Sequence, residues 1–296
     1  VGSEMCIRDR SGGTFLSYDG ADAVMDAVFN LSGAGVCPNA FWNGAYTAFC
    51  PGLAVDDIVV HEWAHAYTGG THELIYQWQP GALNEAYSDI WGEVADLFNG
   101  QGLDAPILKR TNGSCSIYSG LSGDDSYRWL IGEEASAPGM TGPIRDMWNP
   151  NCYGDPGRVS DPLYRCSAVD EGGVHANSGV PNHAFSLLVE GGNYNGYSLT
   201  GIGFLKASHI YWRAQSQYQV PATDFADHAD ALEAACSDLI GEALPIINFS
   251  SPYSNPDPSG VTATDCARLS QVIAAVELRT EPAQCDFSPA LDPNPP

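Results

Sequence analysis

Residues Ile58–Gly70 read IVVHEWAHAYTGG and contain His61-Glu62-Trp63-Ala64-His65, an H-E-x-x-H. Ile58, Val59 and Val60 lead in and Gly69-Gly70 closes the run, so the spacing predicts a helix. On a helix His61 and His65 lie one turn apart on the same face. Two imidazoles so placed can bind one Zn²⁺, with Glu62 beside the metal as a general base. The plain alternative is a surface helix with two solvated histidines. A third ligand has to separate the two.

The extended pattern H-E-x-x-H-x-x-G-x-x-H fails, because Thr68 and Thr71 stand where Gly and His are needed and His72 is out of register. Glu85, in Asn84-Glu85-Ala86, lies twenty residues beyond His65. A break at Pro80-Gly81 would let a second helix, Ala82–Phe98, fold back and present Glu85 to the metal, making a His₂Glu site. Glu85, Asp89, Glu93 and Asp96 then fall along one face. A solvated face is the ordinary reading of any one of them. As a set they repel unless cations lie between them.

The remaining chain bounds the setting. Its 296 residues suffice for one large domain or two smaller ones, and no apolar run reaches the ~20 residues of a membrane span. A net charge of −24, with Lys109 and Lys206 as the two lysines, repels nucleic acid and anionic membranes. Neither is expected as a partner. Nine cysteines without a C-x-x-C fit disulfides in an exported protein. Val1–Arg10 (VGSEMCIRDR) has no apolar core or periodicity, reads as an artefact, and carries the odd Cys6. Expected pairs are Cys37–Cys50 around a hairpin turning at Asn43-Gly44, Cys152–Cys166, Cys236–Cys266, and Cys115–Cys285 by elimination. Helices are expected within Val174–Gly191, Ile202–Tyr218, Thr223–Ile240 and Ala263–Leu278. A Pro-rich tail or linker fills 279–296.

The run HEWAHAYTGGTHELIYQWQPGALNEAYSD resembles the core of the thermolysin-like metallopeptidases, and DEGGVHANSGVPNHAF at Asp170–Phe185 is similar to that family's other signature block. The resemblance covers about Pro38 to Leu278. It implies that His61, His65 and Glu85 bind zinc and that Glu62 is the base. His175 and Tyr76 would hydrogen-bond the oxyanion, with Asp170 orienting His175. Asp89 and Asn84 would support the zinc histidines. Asn39 and Ala40 match the strand edge that binds substrate backbone, and Arg145 matches the arginine that meets the substrate carbonyl. Ile58, Ile131 and Ile144 match an apolar S1′ pocket.

Structural calcium is implied too, held by Asp57, Glu93, Asp96 and Glu133. Here the chain departs from the family, with Arg128 before Trp129 where an Asp is common; Asp124 or Asp125 is the expected replacement. The expected fold is α+β, with a truncated β-rich N-terminal lobe including the zinc helix (11–80) and a mainly helical lobe (81–278). The resemblance implies a secreted, monomeric zinc endopeptidase acting on proteins and peptides, with a propeptide outside this chain and room for a C-terminal domain beyond it. A zinc aminopeptidase and a non-catalytic calcium-stabilised module are the alternatives. No G-x-M-E-N-type segment supports the first, and intact Glu62 and His175 argue against the second.

Overall fold

A computed structural model describes residues 17–33, 35–99, 110, 115, 127–245 and 260–287. The readings of 1–10, of Asp124 and Asp125, and of 288–296 lie outside these. Short strands β1 (Ala27–Val28), β2 (Ala40–Trp42) and β3 (Thr47–Phe49) open the chain. β3 is central, parallel to β1 and antiparallel to β2, so β2 is an edge. The Asn43-Gly44 turn forms as expected: the Asn43 side-chain carbonyl accepts from the N–H groups of Ala45 and Tyr46, both at 3.0 Å.

Helices α1 (Asp56–Gly70) and α2 (Trp78–Asn99) follow. Asp56 and Asp57 occupy the first turn of α1, where carboxylates meet the positive end of the helix dipole. The expected break at Pro80-Gly81 is absent, because α2 begins at Trp78. Pro80 falls in its first turn, where a missing N–H breaks no bond. The lobe division drawn at 80/81 therefore falls inside α2. The two helices run antiparallel and close. A methyl group at Gly92 would stand 2.7 Å from the Asp57 carbonyl oxygen, so only glycine permits this approach. The acidic face of α2 is not solvated: Glu85, Asp89, Glu93 and Asp96 are all buried.

Two-stranded pairs come next: β4 (Leu130–Ile131) with β7 (Arg145–Asp146), and β5 (Ser136–Ala137) with β6 (Met140–Thr141). Then come α3 (Asp170–Asn177), α4 (Gly179–Glu190), the hairpin β8 (Gly191–Tyr194) and β9 (Tyr197–Thr200), α5 (Phe204–Gln217), α6 (Phe225–Asp238) and α7 (Ala263–Ala275). α4 is apolar nearly all round and buried along its length, as a central helix must be. Around it Trp91, Phe185, Tyr211, Leu232 and Ile273 make one core shared by α2 and the C-terminal helices. The described chain is mainly helical with a few small strands, as expected.

Cys37–Cys50 and Cys236–Cys266 pair as expected. The other two pairs are corrected to Cys115–Cys152 and Cys166–Cys285. Proximity in sequence misled, because residues 157–164 form no local hairpin. They run along the C-terminal segment, where the Val159 N–H donates to the Val276 carbonyl at 3.2 Å and Gln284 Nε2 donates to the Val159 carbonyl at 2.6 Å. That course carries Cys166 to Cys285 and leaves Cys152 to Cys115.

Candidate metal centre and cleft

The antiparallel helices set His61 and His65 of α1 against Asn84, Glu85 and Asp89 of α2. His61 Nδ1 bonds to Asp89 Oδ1 at 2.8 Å and His65 Nδ1 to Asn84 Oδ1 at 2.7 Å. These partners fix both rings with Nε2 turned toward Glu85, at 3.6 Å from its Oε2 for His61 and 3.5 Å from its Oε1 for His65. Among the described residues these three are the one group of His, Cys, Asp or Glu whose ligand atoms all lie within 4.8 Å of one another. Glu85 is 1% exposed, and its Oε2 takes no hydrogen bond. A buried carboxylate oxygen left over between two oriented imidazoles fits a tetrahedral zinc site with one position open.

The electrostatics agree. Burial alone would push the Glu85 carboxyl up, but His65, His175, His61 and Arg145 outweigh it and bring it down to about 2. Burial likewise opposes ionisation of Asp89, yet Arg145 and His61 hold it far below the usual carboxylate range. Arg145 reaches Asp89 through Nε at 2.7 Å and Nη2 at 2.6 Å, and Asn182 Nδ2 adds a bond to Asp89 Oδ2 at 2.7 Å. The sequence reading passed over Asn182, although it stands in the PNHAF of the second block.

The cleft beside this centre has a volume of about 450 Å³. Asn39 and Ala40 line it from the edge strand together with Phe41 and Trp42, and Glu62, Tyr76 and His175 line it from the helical side. Tyr76 Oη donates to Glu85 Oε1 and lies 3.3 Å from His175 Nε2. Burial and the Glu85 charge push the Tyr76 phenol far above its ordinary value, so it stays a donor. His175 Nδ1 meets Asp170 Oδ1 at 2.6 Å. Arg145 is not among the lining residues; it stands behind Asp89.

Asp57, Glu93, Asp96 and Glu133 are all buried, at the far end of the same helix pair. They do not share one ligand sphere. The Gly132 and Trp129 N–H groups donate to Asp57 Oδ2 and Glu93 Oε1. Arg128 turns to Glu190 at 2.5 Å and lies 4.7 Å above the Phe204 ring.

The family description "Thermolysin metallopeptidase, alpha-helical domain" matches residues 72–247. A "Zinc metalloproteinase" of Renibacterium salmoninarum is 34% identical over 251 residues, 82% of this chain and 39% of that protein. A "Thermolysin" of Alicyclobacillus acidocaldarius subsp. acidocaldarius is 35% identical over 242 residues, 79% of this chain and 39% of its own. The chain thus spans about two fifths of these relatives' length. A solved structure of the precursor of protealysin, a metalloproteinase from Serratia proteamaculans, aligns at a TM-score of 0.60 and 23% identity, over 89% of this chain and 71% of that one.

Proposed function

Because this chain belongs to the thermolysin metallopeptidase family, we propose that it is the catalytic part of a secreted zinc endopeptidase that hydrolyses peptide bonds with water. The observation that carries the reading is the convergence of His61, His65 and Glu85 from two helices, with Glu62 lining the same cleft. Zinc, when bound, supplies a water with a pKa near about 7 and polarises the scissile carbonyl. Glu62, lining the cleft, would hold the proton given up by the attacking water and return it to the leaving nitrogen. Tyr76 Oη and His175 Nε2 donate to the carbonyl oxygen as it gains charge, each worth ~3–4 kcal/mol. Asp170 at Nδ1 sets the ring so that Nε2 points into the cleft.

The substrate lies as an added strand on the edge of β2 at Asn39 and Ala40. Arg145 does not line the cleft; it holds Asp89 ionised against the zinc-side histidine His61. An apolar P1′ side chain is favoured. Ile58 and Ile144, two of the side chains this reading uses, pack together beside Gly132, a Cβ there lying 3.4 Å from one and 3.6 Å from the other. Four carboxylates are buried at the far end of the helix pair without a common ligand sphere, and Ca²⁺, a hard cation that would draw such oxygens together, is the structural ion we assign to Asp57, Glu93, Asp96 and Glu133. Four disulfides support export. No helix of the described residues is long and apolar enough to cross a membrane.

Casein digestion with and without o-phenanthroline tests the reading. Cleavage should stop with the chelator and return with added zinc. Chelator-resistant cleavage, or none from a zinc-loaded chain, would contradict it.

A further inference from the structure

Asp170, Glu171, Gly172 and Gly173 all take left-handed backbone, with φ of 57°, 50°, 94° and 77°. The Gly173 N–H closes on the Val169 carbonyl at 2.9 Å, making one left-handed turn before the right-handed remainder of α3. Such a conformation is disfavoured for a residue with a side chain. Asp170 and Glu171 therefore adopt it only where the surroundings impose it. What the turn achieves is specific: it brings both Asp170 oxygens onto His175, Oδ1 at Nδ1 and Oδ2 at the backbone N–H, 3.0 Å away.

Three contacts impose the turn. Gly172 lies against the Trp78 ring, where a Cβ would come within 2.5 Å of Cδ2. Gly173 lies against Arg165, where a Cβ would stand 2.4 Å from that side chain. Asn177, 2% exposed, joins the two sides. Its Oδ1 accepts from the Arg165 N–H at 2.8 Å, and its Nδ2 donates to the Arg165 carbonyl at 3.0 Å and the Gly172 carbonyl at 3.3 Å. The residue after Arg165 is Cys166, tied to Cys285 beyond the last helix. The clamped strand is thereby fastened to the C-terminal segment.

We propose that Asn177 and the Cys166–Cys285 crosslink are positioning elements for His175, holding the 165–166 segment against the left-handed turn that fixes Asp170 and the imidazole. The proposal rests on the reading of His175 as donor to the developing oxyanion. A displacement of the ring by about 1 Å suffices for a large loss of rate. Neither element touches the metal ligands or the edge strand, so substrate and zinc binding are left in place.

The test compares Asn177→Ala, the double variant Cys166→Ser/Cys285→Ser, His175→Ala, and His175→Ala combined with Asn177→Ala, all in the full chain. The readouts are kcat and KM on a quenched peptide, zinc content, and the His175 imidazole NMR signals. The first two variants should lower kcat about tenfold or more with KM within about twofold and zinc retained, and should broaden the His175 Nδ1 proton signal. Asn177→Ala should cost no further kcat once His175 is alanine. An unchanged kcat in both, or a full additional loss on top of His175→Ala, overturns the proposal. Should Asn177→Ala fail to fold, the disulfide variant decides alone. A His175→Ala chain as active as the wild type would instead overturn the parent reading of His175, and this proposal with it.

Discussion

The α1–α2 hairpin has two ends built from the same materials with opposite outcomes. At one end a buried carboxylate, Glu85, sits among imidazoles and is held down to about 2, burial being outweighed by His65, His175 and His61. At the other, buried Asp57 is pushed up to about 6, because burial exceeds what the N–H groups of Gly132 and Ile58 return. Helical spacing alone assembles the first, since His61, His65, Glu85 and Asp89 are one-turn neighbours on two adjacent helices. The second is met by backbone from 129–132, which lies 75 residues from Asp57 and 36 from Glu93. Convergent side chains make a metal centre. Dispersed carboxylates, two of them met by backbone amides, make no such cluster.

Glu62→Gln should break the catalytic end most sharply, lowering kcat by about 10²–10⁴ while zinc stays bound, since the base is lost and the ligand set is not. Loss of zinc from that variant would move Glu62 into the ligand set. Acid should strike elsewhere, at imidazoles buried between the helices. Burial holds His72 and His183 down to about 4 and His228 to about 3. Each binds its proton first in the unfolded chain. Stability therefore falls as pH drops through the window from about 6.5 to 4 and is unaffected by these groups above it, by on the order of 1–2 kcal/mol each at pH 5. Asp57 and Asp155, both raised by burial, act in the opposite sense, so the informative measurement is a difference. The fall in urea midpoint from pH 7.5 to 5 should be shallower in His72→Gln than in the wild type; equal slopes would remove His72 from the account. A separate effect belongs to the carboxylate end. EGTA should lower the melting temperature, by the equivalent of about 2.7 kcal/mol where calcium stood a hundredfold above its Kd, with zinc still bound. Asp57→Asn should reproduce much of that loss in calcium. A melting temperature indifferent to EGTA would mean that backbone amides satisfy these acids without an ion.

The same contrast explains what was legible in the sequence. The helix pair, His61, His65, Glu85 and their supports Asp89 and Asn84 follow from periodicity and from two quoted blocks, because every one of these relations is local or one helix apart. Tyr76 and His175 line the same cleft as the histidine–glutamate cluster, and Asp170 reaches it only through His175. What escaped depends on distant chain. Arg128 goes to Glu190 at the end of α4, past four strands and α3. Cys166 finds Cys285 because residues 157–164 track the C-terminal segment, which no spacing announces. The left-handed turn at Asp170 was signalled by Gly172-Gly173 but needed the Trp78 ring and Arg165 to show why glycine is required there. Pro80 was read as a helix breaker, although the first turn of a helix tolerates proline.

The most direct test of the central claim, that one end of this hairpin is a zinc centre and the other is not, is the zinc content of three purified chains. Wild type and Asp57→Asn should each hold zinc stoichiometrically, and His61→Ala should hold none. Stoichiometric zinc in His61→Ala, or its loss from a folded Asp57→Asn chain, would place the metal at the wrong end and contradict the account.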